Sequence, residues 1–129
     1  MADSVDYRKW IQRADQDKKM LEVIYETGIE GMEDSFCYIC HQGTEKILKA
    51  LILRYERDII KSHDLIYLLG RCVRYKPQLK RFIDAVTILN EYPVIARYPG
   101  DLEEQRTVDE AKETYGLFCM IYDEIIKLF

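Results

Sequence analysis

The feature that most constrains the fold of this chain is the spacing of its apolar residues, which recur at three- and four-residue steps in successive segments. Such spacing places the apolar side chains on one face of an α-helix. No segment shows the two-residue alternation that is typical of a half-buried β-strand. We therefore predict an all-α protein: an antiparallel up-and-down bundle of about five helices, in one domain over residues 1–129.

Capping and breaking residues divide this pattern into helices. Gly28 and Gly31 end the first helix, and Pro77 follows the end of the third. The run Thr107-Val108-Asp109-Glu110 matches a capping box and opens the last helix. Gly43, inside the second helix, would let a neighbouring helix approach closely. The five predicted helices cover residues 5–26, about Ser35 to Tyr55, Leu65–Val73, Leu79–Leu89, and the segment from Thr107 to Phe129.

The composition fits this helical prediction. The chain has 129 residues, of which 48% are apolar and 33% charged, with three prolines and six glycines, and this excludes collagen-like and disordered classes. The acidic N-terminus is not followed by an apolar run, and no segment approaches the roughly 20 apolar residues that span a bilayer. We therefore expect a cytoplasmic protein without a membrane partner, whose four cysteines are reduced thiols that mostly lie in the core.

The net charge of −4 hides an uneven distribution along the chain. Residues 46–81 carry ten basic against three acidic side chains, an excess of +7, whereas residues 1–45 and 82–129 carry −5 and −6. A concentration of positive charge attracts ligands that bear phosphate. The same pattern also suits a contact between two copies of the chain, with the basic middle segment of one against an acidic flank of the other.

The first two predicted helices carry charged side chains at positions where their partners have to be identified. Asp17 lies on the apolar stripe of the first helix, so we expect it to pair with a lysine or arginine from another helix; Arg97 is one candidate. On the second helix Gln42, Glu45 and Lys49 share one face. This face can bind a ligand, although a solvated face with an ion pair is the commoner outcome for such a pattern.

The run Cys37-Tyr38-Ile39-Cys40-His41 matches the pattern for covalent haem attachment. We reject that reading because such attachment occurs outside the cytosol and because the run lies within a predicted core helix. A structural zinc site would need a fourth ligand, such as Cys72 or Cys119, and the paired spacing of such sites is absent. We therefore expect neither a metal nor a cofactor.

The join between the second and third helices holds the residues best suited to chemistry. Arg57 and His63 are separated by five residues, with Arg54 and Lys61 nearby. In metal-free RNA cleavage a histidine transfers a proton to or from the ribose 2′-hydroxyl or the leaving oxygen, and an arginine stabilises charge on the phosphorane. The simpler interpretation is a capped helix start, in which Ser62 or Asp64 is the N-cap of the third helix.

Several segments together resemble the HEPN family. The resemblance covers nearly the whole chain, and its most specific part is Glu45-Lys46, then Lys49-Ala50, followed by His63-Asp64-Leu65 about a dozen residues later. The other matching residues are Trp10, Ala14 and Asp17 on the first helix, the run Gln42 to Leu51, Ser62 before His63, Arg97-Tyr98-Pro99, and Ala111 on the last helix.

The resemblance implies a helical bundle, usually dimeric, with two functional branches. One branch consists of partners of small nucleotidyltransferases, for which nucleotide binding is proposed. The other consists of toxin-like ribonucleases with an arginine, a polar residue, and a histidine four to six positions after the arginine. Arg57, Asp58 and His63 satisfy that spacing, but they join the second and third helices, whereas the ribonuclease motif is expected near the final helices.

We therefore predict a non-catalytic domain that binds a nucleotide or polyphosphate, forms a homodimer and acts with a nucleotidyltransferase. Lys49, His63 and Arg97 are the first candidates for phosphate contact, and Lys46 and Arg57 are the next. The alternative is a metal-independent ribonuclease that uses Arg57 and His63, with RNA as its substrate. A third possibility is a purely structural interaction module.

Overall fold

The computed structural model describes residues 4–58, 60–91 and 106–129. Within these ranges the chain forms five α-helices and no β-strand, which confirms the predicted all-α fold class. None of the helices in these ranges combines the length and the apolarity that a bilayer crossing requires. The helices are α1 (Tyr7–Thr27), α2 (Glu33–Tyr55), α3 (Leu65–Val73), α4 (Ile83–Leu89) and α5 (Val108–Ile126).

The ends of the helices follow from the residues that cap them. The Asp6 carboxylate accepts a hydrogen bond from the backbone N–H of Arg8 (3.0 Å) and begins α1, and Gly28, at φ 124°, ends it. Asp64 caps α3 through the N–H of Ile66 (3.0 Å), as one of the two predicted caps. The Thr107 hydroxyl accepts from the N–H of Glu110 (3.1 Å), which confirms the predicted start of the last helix.

The predicted fourth helix differs from the structure in its first part. Residues Pro77–Phe82 form a 3₁₀-helix, and the α-helix proper begins at Ile83. Leu79 and Phe82 are both buried and are three residues apart. In a 3₁₀-helix residues three apart lie on the same side, so this conformation buries both side chains with one short segment.

Helix α2 is the centre of the bundle and packs against α1, α3, α4 and α5. Fourteen of its residues are buried, so the helix is enclosed on more than its apolar face. Helix α1 runs antiparallel to α2, because Tyr7 at the start of α1 lies under the Arg54 guanidinium near the end of α2 (5.4 Å), while Asp17, further along α1, pairs with Lys46, earlier on α2 (2.7 Å).

Gly43 is the position on α2 where the neighbouring helices come closest. A Cβ atom at this position would lie 2.6 Å from Cε1 of Phe118 on α5 and 3.5 Å from Cβ of Asp17 on α1. Phe118 is fully buried, so its ring has no free space into which to move. The predicted close approach at Gly43 is therefore confirmed, and it brings α1 and α5 against the same turn of α2.

We predict that Gly43→Ala destabilises the protein by about 1–3 kcal/mol, because the added methyl group overpacks the contact with Phe118. Urea denaturation of the purified variant measures this change. Gly116→Ala on α5 is the matched control, since no atom lies within 4 Å of the Cβ added there. The control should gain roughly 0.5–1 kcal/mol from the higher helix propensity of alanine. Equal stability of the two variants would contradict the close contact.

Candidate functional site

The segment between α2 and α3, which we call the join, is held in place by the core and by Asn90. Ile60 is buried in the core. At the other end the amide oxygen of Asn90 accepts a hydrogen bond from the N–H of Leu65 (2.9 Å), and its amide nitrogen donates to the Asp64 carboxylate (3.1 Å). His63 immediately precedes the Asp64 cap, so its backbone position is set by the start of α3.

Glu45 is the residue that connects this join to α2. Its Oε2 atom accepts hydrogen bonds from Nζ of Lys49 (3.0 Å) and from Nδ1 of His63 (2.9 Å). The side chains of Glu45 and Lys49 are 6% and 3% exposed, whereas that of His63 is 71% exposed. The ion pair expected from the sequence is therefore present, but the expectation that it lies on a solvated face is wrong. Helix α1 and the join cover that face.

Trp10 of α1 covers Lys49 from the other side. The Lys49 ammonium lies 5.3 Å from the centre of the indole ring, within the range of a cation–π interaction. The indole N–H donates to the backbone carbonyl of Ser4 (2.8 Å), which fixes the ring. Lys49 is thus held between a carboxylate and an aromatic ring. This position of Trp10 was not predicted, although its seven-residue spacing from Asp17 puts both on the face that packs on α2.

The arrangement gives His63 a defined orientation and one accessible ring nitrogen. A carboxylate has no proton to give, so Nδ1 of His63 donates to Glu45, and Nε2 is the ring nitrogen that a ligand can reach. In the neutral ring Nε2 accepts a hydrogen bond or a proton, and in the charged ring it donates to an anion. The pair can therefore hold a phosphate oxygen or transfer a proton, as histidines oriented by a carboxylate do.

Lys46, the residue that follows Glu45, points to α1. Its ammonium lies 2.7 Å from Oδ2 of Asp17, and both side chains are mostly shielded from solvent. The prediction that Asp17 meets a cation from another helix is confirmed, with Lys46 as that cation. Arg97, the residue that we named as a candidate for this pairing and also as a phosphate contact, lies outside the described residues.

Within the described residues, the structure does not bring Arg57 into contact with His63. Arg57 lines an open cleft of about 340 Å³ with Arg8 and Arg54, and the remaining lining residues are Val5, Asp6, Tyr7 and Leu53. Two hydrogen bonds (3.0 and 3.3 Å) tie the Arg8 guanidinium to the Asp6 carboxylate. Among the contacts that the described residues make, none joins Arg57 to His63. The spacing in the sequence therefore does not correspond to a direct contact in the fold.

The cysteine and histidine run on α2 lies in the core. Cys37, Cys40 and His41 are all buried. Burial raises the pKa of the Cys37 thiol to about 11 and holds the pKa of the Cys40 thiol well above its usual value, so both thiols stay protonated at neutral pH. The described ranges contain no group of three or more side chains placed to hold a metal ion. These residues pack the bundle, as predicted for the cysteines.

We predict that Glu45→Gln lowers the free energy of unfolding by about 3–5 kcal/mol, because it leaves the Lys49 charge buried without a counter-charge. The double variant Glu45→Gln/Lys49→Met should recover most of that loss, since it removes both charges. Denaturation by urea measures both. Lys19→Ala, which breaks an exposed pair with Asp15, is the control and should change stability by no more than about 1 kcal/mol. A single variant as stable as the native protein would disprove this role of Glu45.

Comparison with protein families gives a match over nearly the whole chain. A family model described as the HEPN domain matches residues 7–127, a range that contains α1 to α5. Searches of curated proteins and of solved structures give no match. Of the residues that carry the resemblance, Trp10, Lys49, Glu45 and His63 form one set of contacts in the structure, and Asp17 and Lys46 form another. The chain belongs to the HEPN domain family.

Proposed function

We propose that this HEPN domain binds a nucleotide or polyphosphate without catalysis and acts with a small nucleotidyltransferase partner. The observation that supports this proposal most directly is the exposed ring of His63, which the buried Glu45 carboxylate holds in one orientation. A preoriented donor loses little conformational entropy when it binds a ligand. The ring also lies within the segment of residues 46–81, whose charge excess is +7.

The proposed site residues have two kinds of role. His63 and Arg57 are exposed and are the proposed direct contacts to phosphate, together with Arg97. Lys49 and Lys46 are engaged with Glu45 and Asp17, so in this proposal they act by shaping the site and by adding to its positive potential. The proposal also includes a homodimer and a cytoplasmic location. The charge contrast between the middle segment and its flanks supports the dimer.

We predict that calorimetric titration of the protein with ATP and with inorganic tripolyphosphate gives saturable binding. His63→Ala and Arg57→Ala should each weaken binding about tenfold, the effect of losing one hydrogen bond to a charged group. Lys127→Ala removes an exposed lysine from an acidic flank and should leave the affinity unchanged. A flat titration of the native protein with both ligands would rule out the proposal.

The hydrogen bond between the Glu45 carboxylate and Nδ1 of His63 also favours a second function, that of a metal-independent, toxin-like ribonuclease. A histidine oriented by a carboxylate is the usual arrangement of a general base. In this alternative His63 transfers the proton and Arg57 holds the phosphate from the neighbouring cleft. Because no contact joins Arg57 to His63 among the described residues, the RNA backbone would have to extend from one side chain to the other.

We predict, under this alternative, that the purified protein cleaves single-stranded RNA in the presence of a chelator and that His63→Ala abolishes cleavage. Glu45→Gln, assayed at a temperature at which circular dichroism shows it to be folded, should reduce the rate by roughly 10²–10⁴-fold, since it removes the negative charge that supports proton transfer. Gel analysis of a labelled RNA measures the rate. The absence of cleavage by the native protein at high concentration would exclude the ribonuclease, and it would leave the binding proposal unaffected.

A further inference from the structure

The hydrogen bond between His63 and Glu45 sets more than the direction of the ring, because it also sets where the proton of the neutral ring lies. Oε2 of Glu45 lies 2.9 Å from Nδ1 of His63 and 3.0 Å from Nζ of Lys49. Both nitrogens therefore face one carboxylate oxygen, which accepts hydrogen bonds and has none to donate. The neutral His63 ring thus carries its proton on Nδ1.

Glu45 is held in this arrangement by buried neighbours. Its side chain is 6% exposed, and that of Lys49 is 3% exposed. The group that α1 brings to this cluster is the neutral indole of Trp10, whose ring centre lies 5.3 Å from the Lys49 ammonium. If Glu45 released His63, a buried carboxylate would lose a hydrogen bond that nothing replaces, and this costs free energy. The tautomer is therefore set by buried groups, whereas the ring itself is 71% exposed.

Among the described residues, the other charged groups near His63 do not favour the opposite tautomer. Asp64 follows it in the chain, but the Asp64 carboxylate accepts hydrogen bonds from the N–H of Ile66 (3.0 Å) and from the amide nitrogen of Asn90 (3.1 Å). Asn90, the group that α4 brings to this place, is neutral. Lys61 lies two residues before His63 and is exposed. Glu45 is therefore the charged group that decides the position of the proton.

The position of this proton decides what the exposed nitrogen Nε2 offers to a ligand. In the neutral ring Nε2 has a lone pair and no proton, so it cannot donate to the oxygen of a phosphate. In the charged ring both nitrogens carry protons, and Nε2 donates a charge-assisted hydrogen bond. A histidine without such a carboxylate is not restricted in this way, because its neutral ring can carry the proton on either nitrogen. At His63 the ring has to take up a proton before it holds a phosphate oxygen.

We propose that the binding of phosphate at His63 is coupled to the uptake of a proton, so that pH regulates the affinity of the site. The proton comes from solution and binds to Nε2, and the imidazolium then donates it in a hydrogen bond to a phosphate oxygen. Histidine is the side chain whose charge ordinarily changes between about pH 5 and 8, so the coupling falls in the physiological range. This inference rests on the proposed function, from which it takes phosphate as the ligand.

The two functions proposed above need opposite forms of the ring. Phosphate binding uses the imidazolium, so it weakens as the pH rises. A general base has to be neutral, with a lone pair on Nε2, so RNA cleavage with His63 as the base accelerates as the pH rises through the same range. The direction of the pH dependence therefore distinguishes a binding site from a general base.

The first test measures the affinity for inorganic tripolyphosphate by calorimetry at about pH 5.5 and at about pH 8.5, on either side of the range in which histidine titrates. Native protein and His63→Ala are compared at each pH. The ligand also loses protons over this range, but the ratio of the two affinities cancels that effect. The ratio should be about tenfold at the acidic pH, the effect of one hydrogen bond to a charged group, and should fall below about twofold at the alkaline pH.

Two further variants serve as controls. Lys61→Ala removes a neighbouring cation that keeps its charge across this range, so the ratio of native to variant affinity should be the same at both pH values. Glu45→Gln/Lys49→Met removes the carboxylate that fixes the tautomer, and the amide in its place can donate to Nδ1 or accept from it. The affinity of this double variant should therefore fall less between the two pH values than that of the native protein. Thermal denaturation shows whether each variant is folded.

NMR spectroscopy of the ¹⁵N-labelled protein tests the tautomer without a ligand. The chain has two histidines, so the signals of the His63 ring are those that disappear in His63→Ala, and the signals of His41 remain. At the alkaline pH the ¹⁵N chemical shifts of the His63 ring should show a protonated Nδ1 and an unprotonated Nε2. A proton on Nε2 of the neutral ring overturns the inference, whether or not tripolyphosphate binds.

The outcomes separate this inference from the proposed function. An affinity ratio that falls as the pH rises, together with a protonated Nδ1 in the neutral ring, supports the coupling. An equal ratio at both pH values, in a protein that binds tripolyphosphate, overturns the inference and leaves the proposed function standing. A flat titration of the native protein at the acidic pH rules out both.

Discussion

The hydrogen-bonded ion pair between Glu45 and Lys49 is the interaction on which the rest of this structure depends. Two opposite charges lie inside the bundle, where an unpaired charge is strongly destabilising. Their burial requires α1 to bring Trp10 over Lys49 and requires the join before α3 to bring His63 to Glu45. The interaction therefore links three segments that are distant in the sequence. It also produces the one exposed histidine ring with a fixed orientation.

The fold could be predicted from the sequence to a large extent because apolar spacing and caps are local signals. The positions of α1, α2 and α3, the caps at Asp64 and Thr107, and the close approach at Gly43 all follow from residue types near the element concerned. The 3₁₀ conformation of residues 77–82 does not, because it depends on which side chains the rest of the bundle buries. Local propensity does not distinguish a 3₁₀ turn from an α-helical one in so short a segment.

The candidate site was predictable in its residues but not in its arrangement. The ion pair of Glu45 and Lys49 follows from their four-residue spacing, and the cation for Asp17 follows from the position of that carboxylate on an apolar stripe. Burial of the pair does not follow, because it depends on α1 and on the join. The stacking of Tyr55 on Tyr75 also could not be predicted, since the two residues are separated in the sequence and meet only when α3 packs on α2.

Two of the contacts between α1 and α2 also restrict the way in which these helices can slide past each other. Asp17 meets Lys46 and Trp10 meets Lys49, in the order that antiparallel helices require. A displacement of α1 by one helical turn, about 5.4 Å, would break both contacts at once and leave two charges without partners. Purely apolar faces tolerate such a slip far better. The polar side chains between α1 and α2 therefore select a single register, which also keeps the Trp10 ring over Lys49, the ammonium that shares the Glu45 carboxylate with His63.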